Sequence, residues 1–279
     1  MENKTDGKSR SRIITEPDDN IEPIAISIGN RKGGVGKTTV CFNAANELSK
    51  GGYKLVLLDL DSQKDLSDLS LNSKFEYNIY DIFQGKAILN EAIYEIEDAD
   101  GQMIIPGSNR LDEIGTKIKQ SLDLIIDELK ELFDVVLIDH PPGLSQISKT
   151  GYALSDYLVI VTEPSNLSIN NVNSLINDDL VNIAEEFNRD INICGIVANK
   201  VDMRRNITKR ALNQLNKEFP QLIFDDYISI DTAVPNSQVK SLPVRNLKWR
   251  SRTVSQFERV SQNIVKRCFD DLFEKGRAN

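Results

Sequence analysis

Apolar residues along this chain fall into two kinds of run that alternate. Short, nearly unbroken stretches occur at 24–28 (IAISI), 54–61 (KLVLLDLD), 103–105 (MII), 134–139 (DVVLID), 157–162 (YLVIVT), 191–199 (INICGIVAN) and 227–230 (YISI). A strand reads this way when both faces of its sheet are covered, so these segments predict buried strands. Between them the apolar positions recur at helical spacing. Over 38–50, Val40, Cys41, Ala44, Ala45 and Leu48 share a face, and Gly51-Gly52 provides the stop. Over 252–275 a long closing helix is predicted, with Val254, Phe257, Val260, Ile264, Val265, Cys268 and Leu272 facing the core. The alternation predicts an α/β fold, a mostly parallel β-sheet with helices on both faces. Residues 1–23 are polar and read as a mobile tail, and 24–279 read as one domain without an internal repeat.

Composition narrows this picture little. The chain has 279 residues, of which 40% are apolar, enough for a sizeable core. No apolar run approaches the ~20 residues that cross a bilayer, and 1–23 lacks a secretory apolar stretch, so the expected compartment is the cytoplasm. Cys41, Cys194 and Cys268 are odd in number and widely spaced, which suits reduced, core-packed thiols. Charge is more informative. The net charge is −8, yet 203–217 holds Arg204, Arg205, Lys209, Arg210 and Lys217 without a carboxylate. Residues 232–257 likewise hold Lys240, Arg245, Lys248, Arg250 and Arg252 and no acid. Such stretches in an acidic chain suggest surfaces that meet polyanions; solvated faces are the alternative. Trp249 lies among these cations and could stack, but the core is its expected place.

The segment RKGGVGKTT (31–39) joins the first predicted strand to the first helix. It fits the deviant phosphate-loop pattern K-G-G-x-G-K-[ST], because Arg31 stands where the common pattern has glycine. Gly33, Gly34 and Gly36 let the backbone turn tightly and bring N–H groups to phosphate oxygens, with Val35 between them. Lys37 is placed for the β and γ phosphates and Thr38 for Mg²⁺. Thr39 lies at a helix start whose positive end faces the polyphosphate.

Ligands of open parallel sheets lie beyond the carboxyl ends of the strands, so acids there complete the reading. Asp139 ends DVVLID and suits a Mg²⁺-associated carboxylate that holds coordinated water. Asp59 and Asp61 alternate onto one face at the end of KLVLLDLD, and Asp61 is the better candidate for acting on the attacking water and near the metal. His140, the single histidine, reads as a wall residue.

RKGGVGKTT, DLDSQ after the second strand, and the apolar run ending in Asp139-His140-Pro141-Pro142 together resemble the ParA/Soj branch of the deviant Walker A ATPases, which includes MinD. The resemblance spans about 24–250 and implies a P-loop NTPase fold. It further implies ATP and Mg²⁺ at a homodimer interface, with Lys32 reaching the partner's nucleotide and Lys37 and Thr38 acting in cis. Asp61 would serve hydrolysis and Asp139 the Walker B role. ParA-like members bind double-stranded DNA nonspecifically as the ATP dimer and release it when a ParB-type centromere-binding protein stimulates hydrolysis. The family pattern D-x-D-P-Q-G-N is altered here, with Ser62, Lys64 and Asp65 at the proline, glycine and asparagine positions. Asn199-Lys200-Val201-Asp202 resembles the NKxD guanine reader, but by the family resemblance Asn199 is an adenine contact, with Val234 and Pro235 lining the base.

The leading expectation is therefore a partition ATPase, nucleoid-associated with ATP, presenting both basic stretches to DNA. A MinD-like membrane-bound positioning ATPase is the alternative; Asp270, Asp271 and Glu274 in the last helix argue against it, and no stable membrane association is expected. A non-hydrolysing DNA-binding adaptor of the same fold is the other. Iron–sulfur relatives would need paired cysteines, and the tyrosine kinases of this group a tyrosine-rich tail.

Overall fold

The computed structural model describes residues 22–278 other than 73, 116 and 117. The proposed tail lies almost wholly outside the described residues, as does the side chain of Leu272. Strands β1 (Ile24–Gly29), β2 (Leu55–Asp59), β3 (Tyr94–Glu95), β4 (Met103–Ile105), β5 (Val135–Asp139), β6 (Tyr157–Thr162) and β7 (Ile193–Ala198) form one sheet of order β3-β4-β2-β5-β1-β6-β7. Every pairing is parallel except that of β3 with β4. Helices α1 (Lys37–Lys50), α2 (Asp65–Ser70), α3 (Ile79–Phe83), α4 (Ile118–Leu132), α5 (Gln146–Leu154), α6 (Asn166–Ser174), α7 (Leu180–Phe187), α8 (Asn206–Glu218), α9 (Ala233–Val239), α10 (Val244–Lys248) and α11 (Arg252–Ala278) cover it. A π-helical turn, Leu175–Asp179, joins α6 to α7.

The unbroken apolar strands are explained by the two cores they separate. In β2, Leu55 and Leu57 face the core that holds α1 and α11, whereas Val56 and Leu58 face the core under α4. In β5, Val135 and Leu137 divide from Val136 and Ile138 in the same way. A third apolar cluster lies between β6, β7 and helices α6 to α8. All three cysteines are buried thiols.

Two expectations change. Residues 227–230 make no strand; they contribute one isolated bridge, Val201 with Ser229. Among the described residues the segment meets the end of β7 and the chain after it only through Ile228 N–H to Ala198 O, Val201 N–H to Ile228 O and Ile230 N–H to Val201 O, while the Ser229 N–H donates to Gln256 Oε1 on α11 at 2.9 Å. Trp249 is not in the core: it is 67% exposed, because α10 ends just before it and turns it to solvent. The edge strand β3, only two residues long, has no periodicity for a sequence to display.

Candidate functional site: the phosphate loop and its carboxylates

β1 lies centrally, between β5 and β6, and its carboxyl end delivers the loop. Asn30 is buried there; its side chain donates to Val161 O at 2.7 Å and accepts from the Lys32 N–H at 3.0 Å, which fixes the first turn. Gly34 and Gly36 adopt φ of 73° and 92°. A Cβ on Gly36 would also run into the Asn199 amide, so this position excludes side chains twice over. Gly36 caps α1 without a side-chain hydrogen bond, and the first turn of α1 holds no acid. The amides there stay available to an anion. Arg31 is held away by Asp179, at 2.8 Å.

The register then assembles the acids. Asp59 pairs with Asp139 across β2 and β5, and Ile28 with Asp139 across β1 and β5. Asp59 accepts hydrogen bonds from Asp61 N–H at 3.0 Å and from Ser67 N–H and Oγ–H at 2.9 and 2.5 Å. It anchors α2, and burial pushes its pKa up to about 6. Asp61 accepts from Gln63 N–H at 2.9 Å; burial raises its pKa while Lys37 opposes the rise. Lys37 is buried, and burial lowers its pKa against the pull of Asp139 and Asp61.

Asp139 is fully buried and neither carboxylate oxygen has a hydrogen-bond partner. Burial first, then Asp59, raises its pKa well above the usual range; the nearby Thr38 hydroxyl and Lys37 favour its charge. A dry, unsatisfied carboxylate beside a hydroxyl and an ammonium suits the water shell of a cation that phosphates also ligate. The glycine cradle and the uncapped α1 amides suit the phosphates themselves. The residues therefore fit Mg²⁺ with a nucleoside triphosphate. A cavity of ≈ 590 Å³ lies over them, lined by Gly33, Gly34, Gly36, Lys37, Thr38, Thr39, Asp61, Gln63 and Pro142, among others.

Known proteins resemble this chain in sequence and fold. The AAA-domain family matches residues 24–193. A protein of Methanocaldococcus jannaschii is 30% identical over 256 residues, covering 87% of this chain and 98% of that one. The chromosome-partitioning ATPase Soj of Treponema pallidum is 25% identical over 244 residues, covering 85% of this chain and 95% of Soj. The fold superposes on the ATP complex of Cyanothece McdA with a TM-score of 0.75 at 20% identity, over 88% of this chain and 97% of that one. The chain belongs to the AAA-domain family, in its ParA/Soj branch.

Within this ParA/Soj-type framework some expected residues are brought together and others are not. Gly33 to Thr39 and Asp61 meet at one cavity, except that Val35 points into the core. Lys32 is exposed and does not line that cavity. Asn199 does not line it either: its amide donates to Val35 O at 2.8 Å and braces the loop from behind. Val234 packs against the core and Pro235 is exposed; neither lines the cavity. Asp202 is bound by Arg204 at 2.8 Å, which occupies the carboxylate a guanine reader would use.

The sequence missed Lys200, whose ammonium donates to Gly34 O at 2.6 Å, and Gln238, whose amide donates to Thr39 Oγ1 at 2.9 Å. No local signal marks Gln238, because the Thr39 hydroxyl it meets lies 199 residues away in the chain. Of the basic candidates, Arg205, Lys209, Arg210, Lys240, Lys248 and Arg250 are exposed. Arg204 is also exposed but paired with Asp202. Arg252 pairs with Asp231 at 3.7 Å and donates to Ile230 O at 2.6 Å. Arg245 is held by Glu47 and Glu258, at 2.5 and 2.9 Å, so its charge serves the fold.

Proposed function

We propose that this chain is a ParA-type ATPase for plasmid or chromosome partition, with Mg²⁺-ATP at a homodimer interface. The unpaired Asp139 carboxylate beside Thr38 and Lys37, under a glycine cradle, carries this reading. Lys37, Lys200 and the α1 amides hold the phosphates and offset their charge. Mg²⁺, which Thr38 and Asp139 would hold, would supply neutralisation of the charge on the phosphates. Asp61 orients the attacking water; its carboxylate is buried at the cavity wall and fixed by the Gln63 N–H. Lys32, exposed and outside its own cavity, is the side chain free to enter the partner's.

Charge supports the DNA half of the reading. Arg205, Lys209, Arg210, Lys240, Lys248 and Arg250 form the cationic surface for duplex DNA, with Arg204 and Arg252 as reserves held by carboxylates. A ParB-type partner would trigger hydrolysis and release. A MinD-like membrane role finds less support, because the apolar residues of α11 up to Cys268 are buried against the core. No helix among the described residues is long and apolar enough to cross a membrane.

DNA binding and phosphate release, each measured with and without ATP, test the proposal. Wild type with ATP binds DNA with a log–log salt slope near −5 if about six phosphates are neutralised per dimer. Lys37→Ala should not bind tightly, and Asp61→Ala should bind DNA but lose turnover by roughly 10²-fold. Turnover that survives Asp61→Ala, or DNA binding indifferent to ATP, would overturn it.

A further inference from the structure

We infer that the turn following α10, carrying Trp249 with Arg250, is a DNA-contact platform in which the indole packs against the sugar–phosphate wall of the duplex. The inference rests on the DNA-binding reading above and deepens it. Three observations carry it. The first is exposure: Trp249 is 67% exposed and Val239, at the end of the neighbouring helix α9, is 83% exposed. A tryptophan this far out of the core buries little apolar surface in the free protein and gains most of its contact area in a complex.

The second is charge. The Arg250 guanidinium stacks over the indole, 4.4 Å from the ring centroid, and Lys248 and Lys240 are exposed nearby in the chain. From 232 to 257 no carboxylate interrupts these cations. Of the two acids on the cavity rim beside Trp249, Asp100 is paired with Lys50 at 3.1 Å; Asp98 accepts the Asn246 amide at its main-chain carbonyl, and its carboxylate is the one negative charge facing this rim that no cation meets among the described residues. A cation stacked on one face of an aromatic, with Lys248 next to it in the chain, presents a flat apolar surface bordered by positive charge. That matches deoxyribose flanked by phosphates.

The third is rigidity. Arg245 is tied to Glu47 on α1 and Glu258 on α11, and Val244 N–H donates to Asn43 Oδ1 at 2.9 Å. These bonds clamp α10 to the body of the protein and leave Leu247 to Arg250 facing outward. A side chain displayed on a fixed turn loses little freedom when it docks. The same geometry disfavours a lipid surface. α10 is five residues long, too short to lay an apolar face in an acyl layer, and one face of the indole is already capped by Arg250.

Trp249 is the only tryptophan in the chain, so its emission reports directly on this surface. With ATP and a short DNA duplex, wild type should bind in a gel-shift assay and its tryptophan emission should change in parallel. Trp249→Ala should weaken DNA binding about five- to tenfold with an unchanged salt slope, and Trp249→Phe should recover most of the loss. Lys248→Ala, which removes one contact from each protomer of the dimer, should instead flatten the slope by roughly 1.8. Basal phosphate release stays at the wild-type rate in Trp249→Ala, which shows the variant is folded. If wild type binds DNA with unchanged emission and Trp249→Ala binds equally well, the inference fails while the partition reading stands. If wild type with ATP binds no DNA, both fall. An emission shift produced by phosphatidylglycerol vesicles and not by DNA would make this a membrane contact and overturn the assignment.

Discussion

Gly36 and Gly29 are glycine for different physical reasons. Gly36 needs positive φ and the space of the Asn199 amide, whereas a Cβ on Gly29 would meet the Tyr152 hydroxyl at 2.6 Å. Gly29→Ala should therefore destabilise the protein by roughly 1–3 kcal/mol in denaturant melts, through forced movement of a buried ring. His140 offers a pH signature. Ser27 Oγ donates to Gly151 O at 3.3 Å and so accepts from His140 Nε2–H at 2.8 Å, leaving the imidazole neutral in the core. Burial lowers its pKa to about 3. Below its unfolded pKa near 6.5, the unfolded chain takes up a proton that the folded chain refuses. The stability His140 confers is thus complete above pH 6.5 and is lost as pH falls toward 3. Between pH 6.5 and 5 the loss is about 2 kcal/mol. The wild-type minus His140→Asn stability difference, followed by chemical denaturation across that range, should show this slope. A flat difference would mean His140 is protonated in the fold.

At the scale of elements, α9 and α10 connect nucleotide to surface. Gln238 reaches the cavity and bonds Thr39, while the next residues, Val239 and Lys240, are exposed. Gln238→Ala should keep DNA affinity but reduce its dependence on ATP, read as the ratio of dissociation constants with and without nucleotide. Arg245 shows how an element's position overrides a residue's type. Its Glu47 partner is only 5% exposed, so removing the guanidinium strands a buried carboxylate. Arg245→Ala should lower stability by roughly 2–3 kcal/mol in urea, and a loss near zero would show that Glu47 finds water.

At the scale of the molecule, the sheet order sets β1 between the strands that carry Asp139 and the Asn30 brace, with β2 one strand beyond. Carboxylates distant in sequence therefore converge on the phosphate loop. The buried acids Asp59, Asp61 and Asp139 all have raised pKa values, and Lys37 is the buried cation among them. Bound Mg²⁺ and nucleotide should relieve the unpaired Asp139, so Mg²⁺-ATP analogue should raise the melting temperature more than the analogue with chelator. Lys32→Ala should retain that nucleotide-induced shift but fail to dimerise stably or hydrolyse, as sized by light scattering. Dimers of undiminished stability would remove the cross-subunit role of Lys32.

Short-range chemistry was readable from the chain by itself. The phosphate loop needs glycine at fixed spacing, strands covered on both faces must be apolar throughout, and an acid at a strand end is visible wherever the apolar run stops. Those constraints act between neighbours, so RKGGVGKTT, Asp61, Asp139 and most strands could be read without coordinates. Only the folded structure decided which partner each polar group meets. Asn199 braces Val35, Arg245 belongs to Glu47, Gln238 rather than Val234 lines the cavity, and Trp249 stands in solvent. Each outcome depends on contacts across a hundred residues or more, or on where a short helix happens to end, and local pattern carries no record of either.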